Sequence, residues 1–363
     1  MKSLHVASPS LCSLREFSEA LLPAWNSGIL THNGPLVQQL EAAIASLLGV
    51  PSYVAVTSGT IALQLALQAL DLEGDIIIPA FSWIATPAAC NWEGCRVKFC
   101  DIDPFTLNIC MDSLERSIDS NTQAIMPVHV FGNPCNVDAI DVIAARYHLK
   151  VIYDSAHAFG STYNTQSVLN YGDISCVSTH ATKIFNTGEG GGVVSKDTKL
   201  ISRIKRLRFF GYDDNKLVVD KGINGKMTEI HAALGIANLR YFSKTLTHRS
   251  VLAETYRKEL SHRSGIRLQK TLNGTNHSYF PVIFDKVHQL DACVSELNEK
   301  NIYPRRYFSP SLEQIGCLST SAPSSDIFHS ASIAERIICL PIHNLVSQDD
   351  ALSVSNIVNS VIN

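Results

Sequence analysis

Two side chains suited to catalysis, a lysine and an aspartate, each follow a β-rich run in this chain. Lys183 lies among small and apolar neighbours, between the run at residues 174–177 and a turn that contains four glycines. Removal from water would lower the pKa of this lysine toward that of a nucleophilic free amine. Asp154 ends the apolar run at residues 151–153 and so places a carboxylate at the end of a predicted strand.

A buried lysine and a carboxylate at a strand end are what a pyridoxal 5′-phosphate enzyme requires. The lysine amine forms a Schiff base with the aldehyde, and the carboxylate keeps the pyridine nitrogen protonated so that the ring can withdraw electrons. The sequence therefore predicts a pyridoxal phosphate enzyme with Lys183 and Asp154 as its catalytic residues.

A segment that could bind the phosphate of this cofactor joins a predicted strand to a predicted helix. Ser58, Gly59 and Thr60 follow the strand at residues 53–56. Free backbone N–H groups at a helix start bind anions, and hydroxyl groups add donors. Taken alone, the same segment also fits an ordinary helix N-cap. Ser178, which follows the run before the lysine, could contribute a further hydroxyl.

Two ring side chains could contact the cofactor. Trp83 follows the predicted strand at residues 75–78 and could stack on a planar ring, although Phe81 competes for this role and either could simply belong to the core. His157 could hydrogen-bond the phenolic oxygen of the cofactor, or be a structural histidine. Each signal is weak alone, but the chain order of phosphate turn, aromatic residue, carboxylate and lysine is specific.

The composition fits a globular enzyme and disfavours several other classes. The 363 residues are 45% hydrophobic and 17% charged, with a formal net charge of −3. No long basic run is present, so neither a nucleic acid nor a membrane surface is expected as a partner. The ten cysteines contain no CxxC pair and the thirteen histidines no HExxH motif, so no metal site is predicted. No secretion signal or apolar run of membrane-spanning length is found, and a cytoplasmic location is expected.

The predicted elements that position these residues indicate an α/β fold. Helices are predicted at residues 35–48, 59–70 and 137–147, and they alternate with strands at residues 53–56, 75–78, 97–100, 124–128 and 151–153. Near-continuous apolar strands separated by helices indicate a mostly parallel sheet covered on both faces, in which ligands bind at the carboxyl ends of the strands. The pattern after Thr228 is one of long helical periodicity through Glu259. We predict a cofactor-binding large domain at residues 1–240 and a smaller C-terminal α+β domain at residues 241–363.

Over nearly its whole length the chain resembles the DegT/DnrJ/EryC1/StrS family of sugar aminotransferases, which use pyridoxal phosphate. The four segments that carry the resemblance are the phosphate turn and its helix at residues 57–67, the motif at residues 154–160, the lysine motif at residues 178–192 and the segment at residues 222–235. The resemblance implies the fold type I architecture, which is similar to that of aspartate aminotransferase.

The resemblance also implies a role for each candidate residue. Lys183 would form the Schiff base, Asp154 would hold the ring nitrogen, Trp83 would stack on the ring and His157 would contact the phenolic oxygen. The phosphate would be held by Ser58, Gly59, Thr60 and Ser178, with Asn224 contributed by the neighbouring subunit. A homodimer with shared active sites follows from that last role.

The activity implied by the resemblance is transamination of a nucleotide-linked ketosugar with L-glutamate as the amino donor. The lysine motif is most similar to those of enzymes that act at C4 of a 4-keto-6-deoxyhexose, which implies dTDP-4-amino-4,6-dideoxyglucose as the product, for surface polysaccharides such as O-antigen and lipopolysaccharide. Three alternatives remain open: a 3-keto sugar aminotransferase, an amino-acid aldolase or decarboxylase of the same fold, and a non-catalytic sensor.

Overall fold

The computed structural model describes residues 3–321 and 327–362. Within these ranges the strands are β1 (Leu4–His5), β2 (Val54–Val56), β3 (Asp75–Pro79), β4 (Arg96–Cys100), β5 (Thr122–Ile125), β6 (Lys150–Asp154), β7 (Thr162–Tyr163), β8 (Gln166–Ser167), β9 (Ile174–Ser178), β10 (Gly191–Val194), β11 (Ile266–Leu268), β12 (Phe280–Phe284), β13 (Ile302–Tyr303) and β14 (Ile337–Leu340).

The helices alternate with these strands in the first two thirds of the chain. They are α1 (Leu14–Ser27), α2 (Pro35–Leu48), α3 (Gly59–Ala69), α4 (Ala85–Trp92), α5 (Met111–Arg116), α6 (Val137–Tyr147), α7 (Thr198–Leu207), α8 (Glu229–Leu239), α9 (Phe242–Leu260), α10 (Val287–Glu299), α11 (His329–Ala334) and α12 (Gln348–Ile362).

The central sheet has seven strands in the order β2-β10-β9-β6-β5-β3-β4. Strand β10 pairs antiparallel with both β2 and β9, whereas the pairs β9–β6, β6–β5, β5–β3 and β3–β4 are all parallel. The prediction of an α/β fold with a mostly parallel sheet is therefore confirmed.

Apolar clusters cover both faces of this sheet because successive strand side chains point to opposite sides. Ile76 and Ile78 of β3 pack with α3, α4 and α7 on one face, while Ile77 between them packs with α5 and α6 on the other. Helices α2 and α8 cover the remaining part of that second face, next to Ala55 and Val177. Strands buried on both sides explain the near-continuous apolar runs in the sequence.

A buried carboxylate fixes the start of α2. Glu229 at the beginning of α8 accepts hydrogen bonds from the backbone N–H groups of Leu36 (2.7 Å) and Val37 (3.2 Å). These are first-turn amides that lack intrahelical acceptors, and a negative charge at a helix N-terminus is favourable. The contact ties α2 to α8 beneath the sheet.

The C-terminal elements form a second packed unit. Strand β12 pairs antiparallel with β11 and with β14, and α9, α10 and α12 pack against this small sheet. Strand β1 pairs with β13, and Leu4 lies in the same apolar cluster. The division into domains at residue 240 falls between α8 and α9 and stays a prediction. Among the described residues, no helix combines the length and apolar character needed to cross a membrane.

Candidate active site

A cavity of about 370 Å³ opens at the carboxyl ends of β2, β6 and β9. The structure brings eight of the nine predicted site residues to its wall, and these are Ser58, Gly59, Thr60, Trp83, Asp154, His157, Ser178 and Lys183. The location agrees with the general position of ligand sites in parallel sheets. The ninth, Asn224, is not among the residues that line this cavity.

Lys183 lies on the cavity wall, in the loop between β9 and β10, and its side chain is partly buried. The backbone amide of Lys183 donates to the carbonyl of His180 (2.9 Å), and the hydroxyl groups of Thr179 and Thr187 lie 2.7 Å apart across the base of the loop. Burial lowers the pKa of Lys183 to about 8, while the negative charge of Asp154 acts in the opposite direction. The protonated form still predominates at neutral pH, but the neutral amine is far more abundant there than it would be for a lysine in water.

Asp154 is a buried carboxylate with a fixed donor on each oxygen. Its Oδ2 accepts a hydrogen bond from the hydroxyl of Thr86 (2.8 Å), and its Oδ1 accepts one from the backbone N–H of Ala156 (3.0 Å). Burial raises the pKa of Asp154, and these two donors together with the charge of Lys183 oppose that shift. The carboxylate is thus held in one orientation at the end of β6.

The start of α3 forms a cradle for an anion. The hydroxyl of Ser58 accepts from the backbone N–H of Ile61 (3.2 Å), so Ser58 is an N-cap as well as a cavity residue. The preceding amides of Gly59 and Thr60 belong to the helix start, where N–H groups have no intrahelical acceptor. A Cβ atom at Gly59 would lie 2.8 Å from the Cβ of Ser178, so only glycine brings this backbone so close to the end of β9.

His157 contributes a neutral imidazole. Burial lowers the pKa of His157 well below its ordinary value, and the charge of Lys183 lowers it further. The imidazole ring stacks on the ring of Phe308 with centroids 5.8 Å apart. The backbone carbonyl of His157 accepts a hydrogen bond from the side-chain amide of Asn276 (2.8 Å). The Nδ1 atom is buried and has no hydrogen-bond partner among the residues that the structure describes. A buried polar atom of this kind requires an explanation, and a bound molecule is one.

The two aromatic candidates occupy different environments. Trp83 lies on the cavity wall, is 51% exposed and makes an edge contact with Tyr307 at 5.8 Å between ring centroids. Phe81 is fully buried and packs edge-on against Phe131 and Phe308. Trp83 is therefore the residue placed to meet a ring in the cavity, and Phe81 belongs to the core.

Four further lining residues from the C-terminal part of the chain were not among the predicted site residues: Tyr279, Arg305, Tyr307 and Phe308. Backbone hydrogen bonds between Arg305 and Cys339 hold this segment beside β14. The guanidinium of Arg305 lies 5.5 Å from the centroid of the Tyr307 ring. Local sequence pattern does not place residues so distant from Lys183 at the same cavity, because that requires the packing of β12 and β14 against the central sheet.

Asn224 is exposed on the connection between α7 and α8, outside its own chain's cavity. Its carbonyl oxygen accepts from the ammonium of Lys226, which lies 4.6 Å from the ring centroid of Phe209 and 4.5 Å from that of Phe210. Its predicted role across a subunit interface stays a prediction. Within residues 3–321 and 327–362, no cluster of three or more acidic, histidine or cysteine side chains is arranged to bind a metal ion.

The model of the DegT/DnrJ/EryC1/StrS aminotransferase family matches residues 12–359 of the chain. Two curated relatives, both named dTDP-4-amino-4,6-dideoxy-D-glucose transaminase, are similar over nearly their whole length. The relative from Shigella dysenteriae is 39% identical over 355 residues, which cover 96% of this chain and 96% of the relative. The one from Escherichia coli is 35% identical over 371 residues and covers 98% of each chain.

A solved structure has the same fold. DesI, crystallised in the presence of its TDP-sugar product, superposes with a TM-score of 0.93 at 31% sequence identity, and the alignment covers 99% of this chain and 93% of that chain. The agreement extends through both the central sheet and the C-terminal elements.

Proposed function

The chain belongs to the DegT/DnrJ/EryC1/StrS aminotransferase family, and from this premise we propose that it aminates dTDP-4-keto-6-deoxy-D-glucose to dTDP-4-amino-4,6-dideoxy-D-glucose with L-glutamate as the donor. It is an aminotransferase that uses pyridoxal 5′-phosphate. The observation that supports the proposal most directly is the convergence of Lys183 and Asp154 on one cavity. The family match disfavours the aldolase, the decarboxylase and the non-catalytic sensor.

The residues of the cavity fit pyridoxal phosphate. The space that a Cβ at Gly59 would fill lies between the start of α3 and Ser178, and first-turn amides there suit a phosphate group. Asp154 supplies a buried carboxylate for a ring nitrogen, and the Nδ1 atom of His157, which has no partner in the described part of the chain, supplies a group for a ring substituent. When bound, the cofactor provides an electron sink for the negative charge that develops at the carbon losing its proton.

The side chains of the cavity divide the work of transamination. Lys183 would hold the cofactor covalently and, once released, its Nζ would carry the proton removed from the α-carbon of glutamate. A pKa of about 8 suits both roles, because the amine exchanges protons readily near neutral pH. Asp154 would keep the ring nitrogen protonated, and Trp83 would cover one face of the ring and exclude water from it.

The sugar substrate is proposed from the printed names of the relatives. The Shigella dysenteriae and Escherichia coli proteins are named for a dTDP-linked 4-amino sugar, and DesI was crystallised with a TDP-sugar. Amination at C3 and other nucleotides remain the alternatives. Such an amino sugar would serve the synthesis of surface polysaccharide, and a cytoplasmic location would place the enzyme with its soluble nucleotide-sugar substrate.

A homodimer with shared sites is part of the proposal. Asn224 is exposed on the α7–α8 connection, and the same connection exposes three consecutive apolar side chains, Leu217 (61%), Val218 (66%) and Val219 (55%). Adjacent exposed apolar side chains favour an interface with another protein surface. A second copy bound there would cover them and could bring Asn224 to the neighbouring cavity.

The test is a panel of dTDP-, UDP- and GDP-linked ketosugars offered to the cofactor-loaded protein with glutamate. NMR of the products should identify a 4-amino-4,6-dideoxyhexose linked to dTDP, and Lys183→Ala should yield none. Glutamate alone should change the absorbance of the bound cofactor and release 2-oxoglutarate. Amination at C3, or a preference for GDP- or UDP-sugars, would contradict the proposed substrate, and no 2-oxoglutarate with glutamate would contradict the proposed donor.

A further inference from the structure

Two hydroxyl groups lie in a line behind Asp154. The Oγ of Ser82 is 2.9 Å from the Oγ1 of Thr86, which in turn is 2.8 Å from the Oδ2 of Asp154. All three side chains are buried, and Thr86 is fully so. Ser82 lines the cavity, whereas Thr86 lies behind its wall in the first turn of α4. Thr86 is 68 positions before Asp154 in the chain, and Ser82 is four positions before Thr86.

The chemistry of the three groups fixes the direction of each hydrogen bond. An ionised carboxylate accepts hydrogen bonds and has no proton to donate, so the hydroxyl of Thr86 donates to Asp154. That hydroxyl has one proton, and therefore Ser82 donates to Thr86. The result is a relay in which Ser82 orients Thr86 and Thr86 holds Oδ2, while the N–H of Ala156 holds Oδ1.

The hydrogen bond from Thr86 to Asp154 differs from the one that a threonine hydroxyl usually makes in a helix. Such a hydroxyl commonly bonds to the backbone carbonyl four residues earlier. The hydroxyl of Thr86 instead meets the side-chain oxygen of Ser82 and a carboxylate on another strand. The backbone N–H of Thr86 donates to the carbonyl of Trp83 (3.1 Å), so the same turn also fixes the backbone of the cavity's indole. One short segment thus sets the position of both Trp83 and Asp154.

We propose that Thr86 is a positioning residue for Asp154 in the transamination reaction, and that Ser82 orients its hydroxyl. The proposal rests on the proposed function, since it assumes that Asp154 meets the ring nitrogen of the cofactor. A carboxylate with a fixed donor on each oxygen loses less freedom when the cofactor binds, and it stays ionised in a buried setting where the neutral form would otherwise be favoured.

The titratable groups around Asp154 allow its ionisation to be followed. The titratable groups that interact electrostatically in the pocket around Asp154 are Lys183, His157, Cys90 and Cys176. Burial raises the pKa of both thiols and lowers that of the imidazole, so the neutral form of all three is favoured between about pH 6.5, the ordinary pKa of histidine, and about pH 7.5. Lys183, with a pKa of about 8, stays mostly protonated in that window. A change there that depends on Thr86 therefore reports on Asp154.

The experiment compares Thr86→Val, which removes the hydroxyl at nearly constant shape, with Thr86→Ser, which keeps it. We expect Thr86→Val to lower kcat by about tenfold or more with KM for the sugar changed less than about twofold, because the loss acts on the reaction and not on sugar binding. Thr86→Ser should recover kcat to within about threefold of the unchanged protein. Ser82→Ala, which leaves the Thr86 hydroxyl free to rotate, should give an intermediate loss.

A second readout uses the protein without cofactor. Urea unfolding at a series of pH values up to about 7.5 should show Thr86→Val losing more stability relative to Thr86→Ser as the pH rises, because the missing donor matters most when Asp154 is ionised. A stability loss that is the same at every pH, together with unchanged kcat, would overturn the proposal and leave Thr86 as a packing residue.

A double-mutant cycle with Asp154→Asn tests whether Thr86 acts through the carboxylate. Thr86→Val should have less than about a twofold further effect on kcat in that background, since the hydroxyl acts through the carboxylate. Independent effects would contradict the relay. If no ketosugar is aminated by the unchanged protein, the proposed function fails, yet the unfolding profile and the release of 2-oxoglutarate from glutamate still decide the role of Thr86.

Discussion

Gly59 and Ser178 meet where the start of α3 touches the end of β9, so closely that a Cβ atom on Gly59 would lie 2.8 Å from that of Ser178. This approach directs the first-turn amides of α3 and the hydroxyl of Ser178 into the same part of the cavity. Gly191 supports it from β10, since a Cβ there would lie 2.6 Å from the carbonyl oxygen of Ser58. The end of the cavity that we propose to bind the phosphate is therefore shaped by the close approach of the two backbones.

Gly59→Ala should weaken the binding of pyridoxal phosphate by about tenfold or more, because the added methyl group separates the helix start from Ser178 in a densely packed region. The measurement is the dissociation constant of the cofactor, obtained by titrating the apoprotein and following absorbance. Gly316→Ala is the matched control, because a Cβ at Gly316 would have no atom of the described residues within 4 Å. Equal affinities for the two variants would show that the approach of Gly59 to Ser178 does not shape the phosphate site.

The local pattern of the sequence predicted the elements of the central sheet well. Helices α2 and α6 begin and end where periodicity placed them, and β6 ends at Asp154 as expected. The long helical periodicity predicted from Thr228 through Glu259 is present, but the break that divides it into α8 and α9 was not predicted. At that break the side chain of Asn238 bonds to the backbone of Cys12 and Asn186, and such long-range contacts leave no local signal.

Strand β10 was also missed, since the glycines before it indicate a turn and glycine is uncommon in strands. The structure gives the reason: Gly191 passes directly against the carbonyl of Ser58, where a side chain would not fit. The candidate site shows the same difference between local sequence signals and long-range contacts. Residues within a motif, such as Lys183 and His157, could be identified from the sequence, whereas Thr86 could not, because its partner is distant along the chain.

Replacing Lys183 should change the pH dependence of stability in the apoprotein. The pKa of Lys183 is lowered from its ordinary value to about 8, so between about pH 8 and 10.5 the unfolded chain binds a proton that the folded chain does not. The stability contributed by Lys183 therefore rises with pH across this window, and below it the buried charge is unfavourable. Lys183→Met should be more stable than the unchanged apoprotein at pH 7, with the difference shrinking toward pH 10.

The measurement for this prediction is urea unfolding of both apoproteins at a series of pH values. Taking the difference between them removes the contributions of tyrosines and of other lysines. A constant difference between pH 7 and 10 would mean that the pKa of Lys183 is not lowered. Borohydride reduction of the cofactor-loaded protein supplies a direct check, since a peptide carrying the reduced adduct should contain residue 183 and should be lost in Lys183→Met.

Replacement of His157 should alter the absorbance of the bound cofactor. Its imidazole is neutral, because burial lowers its pKa well below the ordinary value, and its Nδ1 atom is buried without a partner among the described residues. If this side chain contacts the phenolic oxygen, His157→Phe will remove that contact and shift the absorption maximum and its titration. His157→Gln, which keeps a polar terminus, should shift it less. Identical spectra for the two variants and the unchanged protein would place the phenolic oxygen elsewhere.

Arg305 is expected to attract the anionic groups of the substrates, because its guanidinium is exposed at the cavity that holds Lys183. Arg305→Gln should raise KM for the nucleotide sugar or for glutamate by about tenfold with a smaller change in kcat. Arg306→Gln is the control: the Arg306 side chain bonds to the carbonyls of Ala334 and Glu335 and is not among the residues lining the cavity. The idea fails if the two replacements raise KM equally.

Mixing two inactive or weakened variants tests whether the sites are shared between subunits. Suppose that Asn224 acts in the cavity of the neighbouring subunit, as its exposed position outside its own cavity allows. A heterodimer of Lys183→Ala and Asn224→Ala then has one site with both native residues and one site that lacks both. Random assortment would make half of the dimers mixed, with one intact site each, so about a quarter of the full activity should return on co-refolding. If Asn224 instead acts in its own subunit, each site of the mixed dimer carries one defect and activity stays at the mean of the two variants.

Lys183→Ala mixed with Asp154→Asn is the matched control, because these residues share a cavity in one chain and no site with both native residues can form in their mixed dimer.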